Sequence, residues 1–564
     1  MAVTGDGLAY WRADTGTIAL TDTTIGDLLD QRAAAFPTKE AVVYSSYPEF
    51  GPAFDIRWSY ADYQKRANAI ARGLLALGLT KGDHIAIWAA NLPDWPVLML
   101  GAVKAGLVVV TINPVLQARE VEYILQQGDV RALFFMARVR DSDHLATLRS
   151  LTTPGNRNGD VTSEQLPLLK HVSLIGSRPA ELLTTTDEWR PTLLDEVIAA
   201  GASVPETQLA ERQATVTATD PAVLMYTSGT TGFPKGALLT HHGLVNNASL
   251  IMEWLRPSFS TTGVQLEDTR TCLMFPFFHV AGVVGGILCP LYSGATVCPL
   301  VAFDPLKALD VVSRERCTNT SGVPTMLMAI LQHPQFETFD ISSLVFISCG
   351  AAPVPVALME QVKERIGAEI AIVFGQTEGS CCLTSTLPED PFELKATTVG
   401  KPLPYLDVKI VEPGTRSVVP VGHRGELCYR GWAAMQGYYH MPERTAETMD
   451  ADGWVHSGDL ATMNADGYLN IVGRLTDMVI RGGENLFPRE IEEVLIRCPG
   501  VADVQVVGVP DAYFGEQLLA VVIRYFQFAT TYPLTGSVKV QKFKLRERAI
   551  HDLGLEAVAG RVTA

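Results

Sequence analysis

Two runs, HIAIWAA at residues 84–90 and LVVVTI at residues 107–112, are almost wholly apolar and rich in branched side chains. A strand with one wet face alternates apolar and polar residues, so a strand without alternation has both faces covered, as in a parallel sheet with helices packed on either side. Segments of helical period lie around these runs. In residues 59–78 the apolar Tyr63, Ala67, Ile70, Leu74 and Leu77 recur at three- and four-residue steps, Ser59 stands where an N-cap belongs, and Gly78 where a helix stops. Buried strands alternating with one-faced helices predict α/β layers. From about Leu383 the texture changes to short runs broken by Gly and Pro (VKIVEPGTRSVVPVGHRGELCYRG), which predicts a small β-barrel-like unit ending near Val472. Residues 156–188 are loop-rich.

With 564 residues, 47% of them apolar, the chain can build more than one core, and two to four domains are expected. The formal charge of -16 excludes nucleic acid as an expected partner and offers no polybasic route to anionic lipid. The nine cysteines fall singly except for Cys381 and Cys382, without C-x-x-C or Cys/His ligand spacing, which predicts reduced core thiols in a cytoplasmic protein. The first residues, MAVTGDGLAYWRAD, have neither the charged and apolar regions of a signal peptide nor the composition of a transit peptide, so no export is expected. Residues 97–112 and 281–300 approach the length of a membrane span. The first contains Lys104 and the second contains four glycines and Pro290, so buried helix–strand pairs are expected instead of transmembrane segments.

Residues 226–236 read YTSGTTGFPKG. Glycines without Cβ atoms let backbone N–H groups turn toward an anion, while the hydroxyls of Thr227, Ser228, Thr230 and Thr231 and the ammonium of Lys235 add donors. Gly229 and Gly232 complete a loop suited to polyphosphate. A P-loop needs Gly and Lys adjacent and followed by Ser or Thr, whereas Phe233 and Pro234 separate Gly232 from Lys235, so ordinary γ-phosphate chemistry is not expected. A plain surface turn needs one or two such residues rather than this density.

This stretch resembles the adenylate-forming (AMP-binding) superfamily of acyl-CoA synthetases, aryl-CoA ligases, luciferases and peptide-synthetase adenylation domains. The likeness spans nearly the whole chain. LGLTKGD at residues 77–83 and AGLVVVTINP at 105–114 precede the loop; GAAPVP at 350–355, FGQTEG at 374–379, GWVHSGD at 453–459, GRLTDMVIRGGENLFPREIEE at 473–493 and PLTGSVKVQKFKLRE at 533–547 follow it in the family's order. The resemblance implies a large multi-subdomain N-terminal adenylation domain, residues 1–475, and a small mobile α+β C-terminal domain, residues 476–564.

It also implies ATP, Mg²⁺ and CoA as cofactor and co-substrates, and roles for individual residues. Glu378 matches the magnesium ligand and Thr377 an α-phosphate contact; Gly375, Gln376 and the strip Gly350, Ala351 and Ala352 match walls of the adenine pocket. Asp459 and Arg474 match the ribose contacts. Lys539 matches the lysine that reaches the α-phosphate and the substrate carboxylate from the small domain, with Lys542 expected to be a surface charge. His279, in FPFFHVAG, resembles the residue before the acyl pocket, where Gly282, Gly285 and Gly286 would leave room for an alkyl chain. Thr476 stands at the hinge, and Gly483 and Asn485 near the pantetheine channel.

The sequence departs from the family in four places. Phe374 replaces the usual Tyr, Thr476 replaces Asp or Lys, and Val538 stands where a Gly precedes the lysine, with Gly536 two positions earlier. After Ile523 a strand–helix unit, on the order of 30 residues, is missing. Within the superfamily, residues 113–127 and 481–495 most resemble medium-chain fatty-acid ligases. The expected function is ATP-dependent conversion of a medium- or long-chain fatty acid to an acyl-adenylate and then to acyl-CoA. The alternatives are an aryl-CoA ligase, a fatty acyl-AMP ligase, or a nucleotide-binding pseudoenzyme with a damaged tail. Small molecules are the expected partners, and the sequence leaves the oligomeric state open.

Overall fold

The computed structural model describes residues 7–13, 19–45, 47–48, 54–156, 159–176, 189–227, 234–481, 484–496, 498, 501–511, 515–524 and 542–552. The expected α/β layers are two large sheets. In an eight-stranded sheet, His84–Trp88 and Val108–Ile112 are parallel neighbours and every one of their residues is buried, as the unalternating sequence predicts. Pro221–Thr227 continues the sheet in parallel beside Val108–Ile112, and Lys235–Thr240 and Gly437–Tyr438 close that edge in antiparallel fashion. A nine-stranded sheet has a parallel centre, including Asn319–Gly322, Phe346–Gly350 and Glu369–Phe374, with antiparallel strands at both ends. One apolar core cluster joins residues of both sheets.

The segment read as an amphipathic helix is the helix Tyr60–Ala76, with Tyr63, Ala67, Ile70 and Leu74 buried. Ser59 accepts from the Asp62 N–H while Asp62 accepts from the Ser59 N–H, a reciprocal capping box. Gly78 lies at φ +80°, the left-handed conformation that ends a helix cheaply only in glycine. This helix packs on Asp94–Lys104 so closely that a Cβ at Gly101 would come within 2.7 Å of Ile70 Cγ2.

Residues 97–112 form the end of that helix and the strand Val108–Ile112. Lys104 is almost fully buried, but its ammonium pairs with Asp30, which also accepts from Gln64 and Gln213, so the charge is compensated. Residues 281–300 become a short helix, a π-helical turn Val284–Leu288, a helix Cys289–Ser293 and the strand Thr296–Pro299. No helix among the described residues is long and apolar enough to cross a membrane.

The change of texture expected at Leu383 falls later. Thr384–Ser385 and Lys401–Pro402 still belong to the nine-stranded sheet, because their pairing partners lie in the preceding strand Glu369–Phe374 and in each other. The separate small unit begins at Leu406. It is a five-stranded antiparallel sheet of Leu406–Val411, Gly425–Gly431, Val455–Met463 and Leu469–Arg474, extended by Tyr10–Trp11 from the N-terminus. Beyond it, Val479–Arg481, Glu484–Leu486, Val501–Asp511 and Gly515–Arg524 form a four-stranded sheet accompanied by the helices Pro488–Leu495 and Lys542–Asp552. All nine cysteines are free thiols, with Cys498 exposed and Cys381 half-buried.

Candidate active site

Parallel sheets leave their strand carboxyl ends as natural crevices. Thr227, Gly350 and Phe374 each end such a strand, and the site motifs follow directly from them. At the two ends of YTSGTTGFPKG the strands pair in antiparallel fashion, Tyr226 with Gly236 and Thr227 with Lys235. Ser228, Gly229, Thr230, Thr231 and Gly232 lie outside the described residues. On the described side of the hairpin, the Lys235 ammonium stands 4.5 Å from the centroid of the Tyr438 ring.

After Phe374 the chain turns sharply. A Cβ at Gly375 would meet the Cys381 carbonyl oxygen at 1.6 Å, so only glycine permits the approach. A 3₁₀ turn, Thr377–Gly379, follows, with Ser380 and Cys381 at positive φ. This turn presents Glu378 to the hairpin. Its Oε1 accepts from Tyr438 Oη at 2.8 Å and from Thr227 Oγ1 at 3.3 Å. Burial, and next the Glu378 carboxylate, push the Tyr438 hydroxyl far above its ordinary pKa, so it remains a donor. Thr377 is buried beside Glu378.

The five-stranded sheet supplies the opposite group. Asp459 and Arg474 are direct cross-strand partners, and Arg474 Nε donates to Asp459 Oδ1 at 2.9 Å. Asp459 Oδ2 accepts from Gln376 Nε2 at 3.3 Å, and Gln376 Oε1 accepts from the buried Tyr429 hydroxyl at 3.3 Å. Gln376 therefore links the turn carrying Glu378 to the acid read as the ribose contact. The strip after Phe346–Gly350 is solvent-facing at Ala351 and Ala352. Ala351 has φ +64°, a conformation that a residue with a Cβ adopts at a cost of about 1 kcal/mol or more and that clusters at functional sites.

His279 is half-buried and caps the helix Val280–Val283, its Nδ1 accepting from the Ala281 N–H at 3.2 Å. Of the three glycines expected to leave room, two are packing glycines instead. A Cβ at Gly282 would meet the Pro276 carbonyl at 2.0 Å, and one at Gly286 would meet Leu273 at 2.2 Å. Only Gly285 faces space, with Ser321 Oγ at 4.0 Å as its nearest neighbour.

In the C-terminal region, Thr476 lies in the 3₁₀ turn Leu475–Asp477, and Asn485 pairs with Ile480 across a two-stranded ladder. Gly483 and Lys539 lie outside the described residues, as do residues 525–541, where the missing strand–helix unit was expected. Lys542 is not a bare surface charge: its ammonium bonds Glu492 Oε1 at 2.7 Å.

The AMP-binding enzyme family matches residues 29–439, and the AMP-binding enzyme C-terminal domain matches residues 490–539. The chain belongs to the AMP-binding enzyme family. YngI of Bacillus subtilis (strain 168), which carries an acyl-CoA synthetase name, is 40% identical over 95% of this chain and 99% of its own. The human mitochondrial medium-chain acyl-CoA ligase ACSF2 is 34% identical over 97% of this chain and 91% of its own. The crystal structure of ATP-bound MatB from Rhodopseudomonas palustris superposes with a TM-score of 0.76 at 26% identity, covering 94% of this chain and 100% of that one. The protein is thus an enzyme of the acyl-CoA synthetase class, which activates a carboxylic acid with ATP and transfers the acyl group to CoA.

Proposed function

We propose that the substrate is a medium- or long-chain fatty acid and that the residues gathered at the strand ends carry its activation. The observation that carries this reading is the convergence of Thr227, Tyr438 and Glu378 on one side of the crevice with Gln376, Asp459 and Arg474 on the other. The open side of Gly285 within an otherwise packed apolar segment supports an alkyl chain, as does the kinship with ACSF2.

In the first step a carboxylate oxygen attacks the α-phosphorus, and the bond to the bridging oxygen breaks so that pyrophosphate leaves. Lys235 and the hairpin N–H groups hold the phosphates, Thr377 faces the α-phosphate, and Asp459 accepts from the ribose hydroxyls. A hard oxygen donor beside the phosphate hairpin suits Mg²⁺, which takes few protein ligands; Glu378 and the phosphates would hold it. When bound, it neutralises charge developing on the departing pyrophosphate. Gly375 and the strip Gly350–Ala352 wall the adenine, and His279 stands at the mouth of the acyl pocket.

In the second step CoA sulfur attacks the acyl carbon and AMP leaves. We assign the large unit to residues 1–475 and the small one to residues 476–564, with Thr476 as hinge, Lys539 serving the first step, and Gly483 and Asn485 bordering the path of CoA. Nine free thiols fit a cytoplasmic location. The test is a screen of carboxylic acids for pyrophosphate release with and without CoA. Medium- or long-chain fatty acids should give the highest kcat/KM and a CoA thioester as final product. Preference for aromatic acids, or free acyl-adenylate as the end product, would overturn the reading in favour of an aryl-CoA ligase or a fatty acyl-AMP ligase.

A further inference from the structure

On the Asp459 strand and its neighbour, three side chains of different chemistry meet at one spot. Cys428 and His456 are cross-strand partners in the five-stranded sheet, and Glu426, two residues before Cys428, lies on the same face of its strand, opposite a register shift that puts two extra residues between His456 and Leu460. His456 Nδ1 lies 2.9 Å from Glu426 Oε2 and 3.4 Å from Cys428 Sγ. The three ligand atoms all fall within 4.8 Å of one another. Cys428 is fully buried, and the other two side chains are nearly so.

Without a metal, an Nδ1–H donating to Glu426 Oε2 satisfies that pair and leaves Cys428 Sγ beside it, whereas a divalent cation would be met by all three donor atoms at once. The other imidazole nitrogen bears on the choice. His456 Nε2 is buried without a hydrogen-bond partner, and Asp450 Oδ2 stands 3.7 Å away. The other oxygen of Asp450 is already used, accepting from the N–H groups of Asp452 and Trp454. A ligating histidine ordinarily gives its second N–H to a carboxylate, and Asp450 is placed for that outer role. The nearest basic strand neighbour, Lys409, lies over the Trp454 ring, 4.0 Å from its centroid.

We propose that Glu426, Cys428 and His456 form a binding site for one borderline-soft divalent cation of the zinc class. Sulfur, nitrogen and carboxylate donors in one set fit that class and not Mg²⁺ or Ca²⁺. On binding, the Cys428 thiol proton leaves, Nδ1 becomes a ligand and the imidazole proton resides on Nε2, facing Asp450. Glu426 Oε1 keeps its bond from the Gly458 N–H at 3.1 Å. The ion would therefore join the strand Gly425–Gly431 to the strand Val455–Met463 three residues before Asp459, a structural role outside the reaction itself.

The probe is Co²⁺, followed by Zn²⁺ displacement, in full-length Cys498→Ser protein, which removes the exposed thiol. Saturable uptake of one Co²⁺ per chain is expected, with intense four-coordinate visible bands and a thiolate-to-cobalt band in the near ultraviolet, all erased by Zn²⁺. Adding Cys428→Ser should abolish the near-ultraviolet band and weaken Zn²⁺ binding at least tenfold. X-ray absorption at the zinc edge of the Cys498→Ser protein should give one sulfur with nitrogen and oxygen for the rest, a result that does not depend on how the Cys428 variant folds. Absence of stoichiometric uptake, a near-ultraviolet band that survives Cys428→Ser, no sulfur, or two sulfurs (which would point to the Cys381–Cys382 pair) would each overturn the proposal.

Discussion

At the scale of single residues, Glu378 concentrates the site's logic, because one oxygen accepts from donors on two different strands. The Glu378→Gln protein keeps the shape but loses the anion, so pyrophosphate release should fall about 100-fold or more at limiting Mg²⁺ with little change in melting temperature. Undiminished release would remove Glu378 from the metal role. Tyr438 tests the arrangement differently. Its hydroxyl donates to a charged group, a bond worth about 1.5–3 kcal/mol, so Tyr438→Phe should raise the Mg²⁺ needed for half-maximal adenylation about tenfold or more. A Mg²⁺ titration in which the two proteins coincide would reduce the contact to packing. Glu378 is proposed from the motif FGQTEG, whereas its contact with Tyr438 has no sign in the sequence. Tyr438 lies 60 residues away on the edge of another sheet, and nothing in QGYYH signals a partner at that distance.

At the scale of elements, periodicity works where neighbours in sequence decide the structure. The helix Tyr60–Ala76 and the buried strands His84–Trp88 and Val108–Ile112 needed only apolar spacing and caps. It fails where a distant strand decides: the pairs Thr384–Ser385 and Lys401–Pro402 are strands only because the nine-stranded sheet accepts them. The glycines of residues 282–286 make the same point, since sequence cannot tell a packing glycine from one that faces space. Gly285→Leu should therefore leave the fold intact while lowering kcat/KM for the longest accepted acids at least tenfold relative to short ones, whereas Gly286→Ala should destabilise the protein. An unchanged chain-length profile in the Leu variant would move the acyl pocket elsewhere. The start of the helix His241–Thr261 offers a pH test. Buried His241 uses Nδ1 to accept from the Ile25 N–H, and burial holds its pKa down to about 4. The unfolded chain binds this proton below about pH 6.5 and the folded one does not, so stability rises with pH across that window. The contribution lost between about pH 7 and pH 5 is about 2 kcal/mol. His241→Asn, which can still accept from Ile25, should flatten that part of the stability–pH curve in urea melts at both pH values; parallel curves would show that His241 is not the group responsible.

At the scale of the whole molecule, the proposed reading has one small unit serve two chemistries. Arg424 lies over the Phe487 ring, 3.6 Å from its centroid, and Arg489 donates to the Ile471 carbonyl, so the four-stranded unit is joined to the five-stranded sheet through contacts close to the ribose strand. No periodicity marks a boundary between the two units, so the division proposed at residues 475 and 476 rests on the family's motifs alone. Lys542 is held by Glu492 inside the small unit, and Lys539 is the lysine that the family resemblance proposes for the α-phosphate. Lys539→Ala removes a positioned cation where charge develops, so adenylate formation should drop by on the order of 10²–10³. Thioester formation from preformed acyl-adenylate should be nearly unaffected, because that step needs CoA and the acyl carbon but no cation at the α-phosphate. Lys542→Ala is the control: it breaks an ion pair within the small unit and should lower stability more than adenylation. The paired measurement is pyrophosphate release from ATP and fatty acid beside acyl-CoA formation from synthetic adenylate, for wild type and both variants. If Lys539→Ala adenylates like wild type while Lys542→Ala does not, the two lysines exchange roles. If the wild type adenylates strongly but cannot use preformed adenylate, the chain stops at the first step, and the departures at Thr476 and after Ile523 are the places to restore the family's residues.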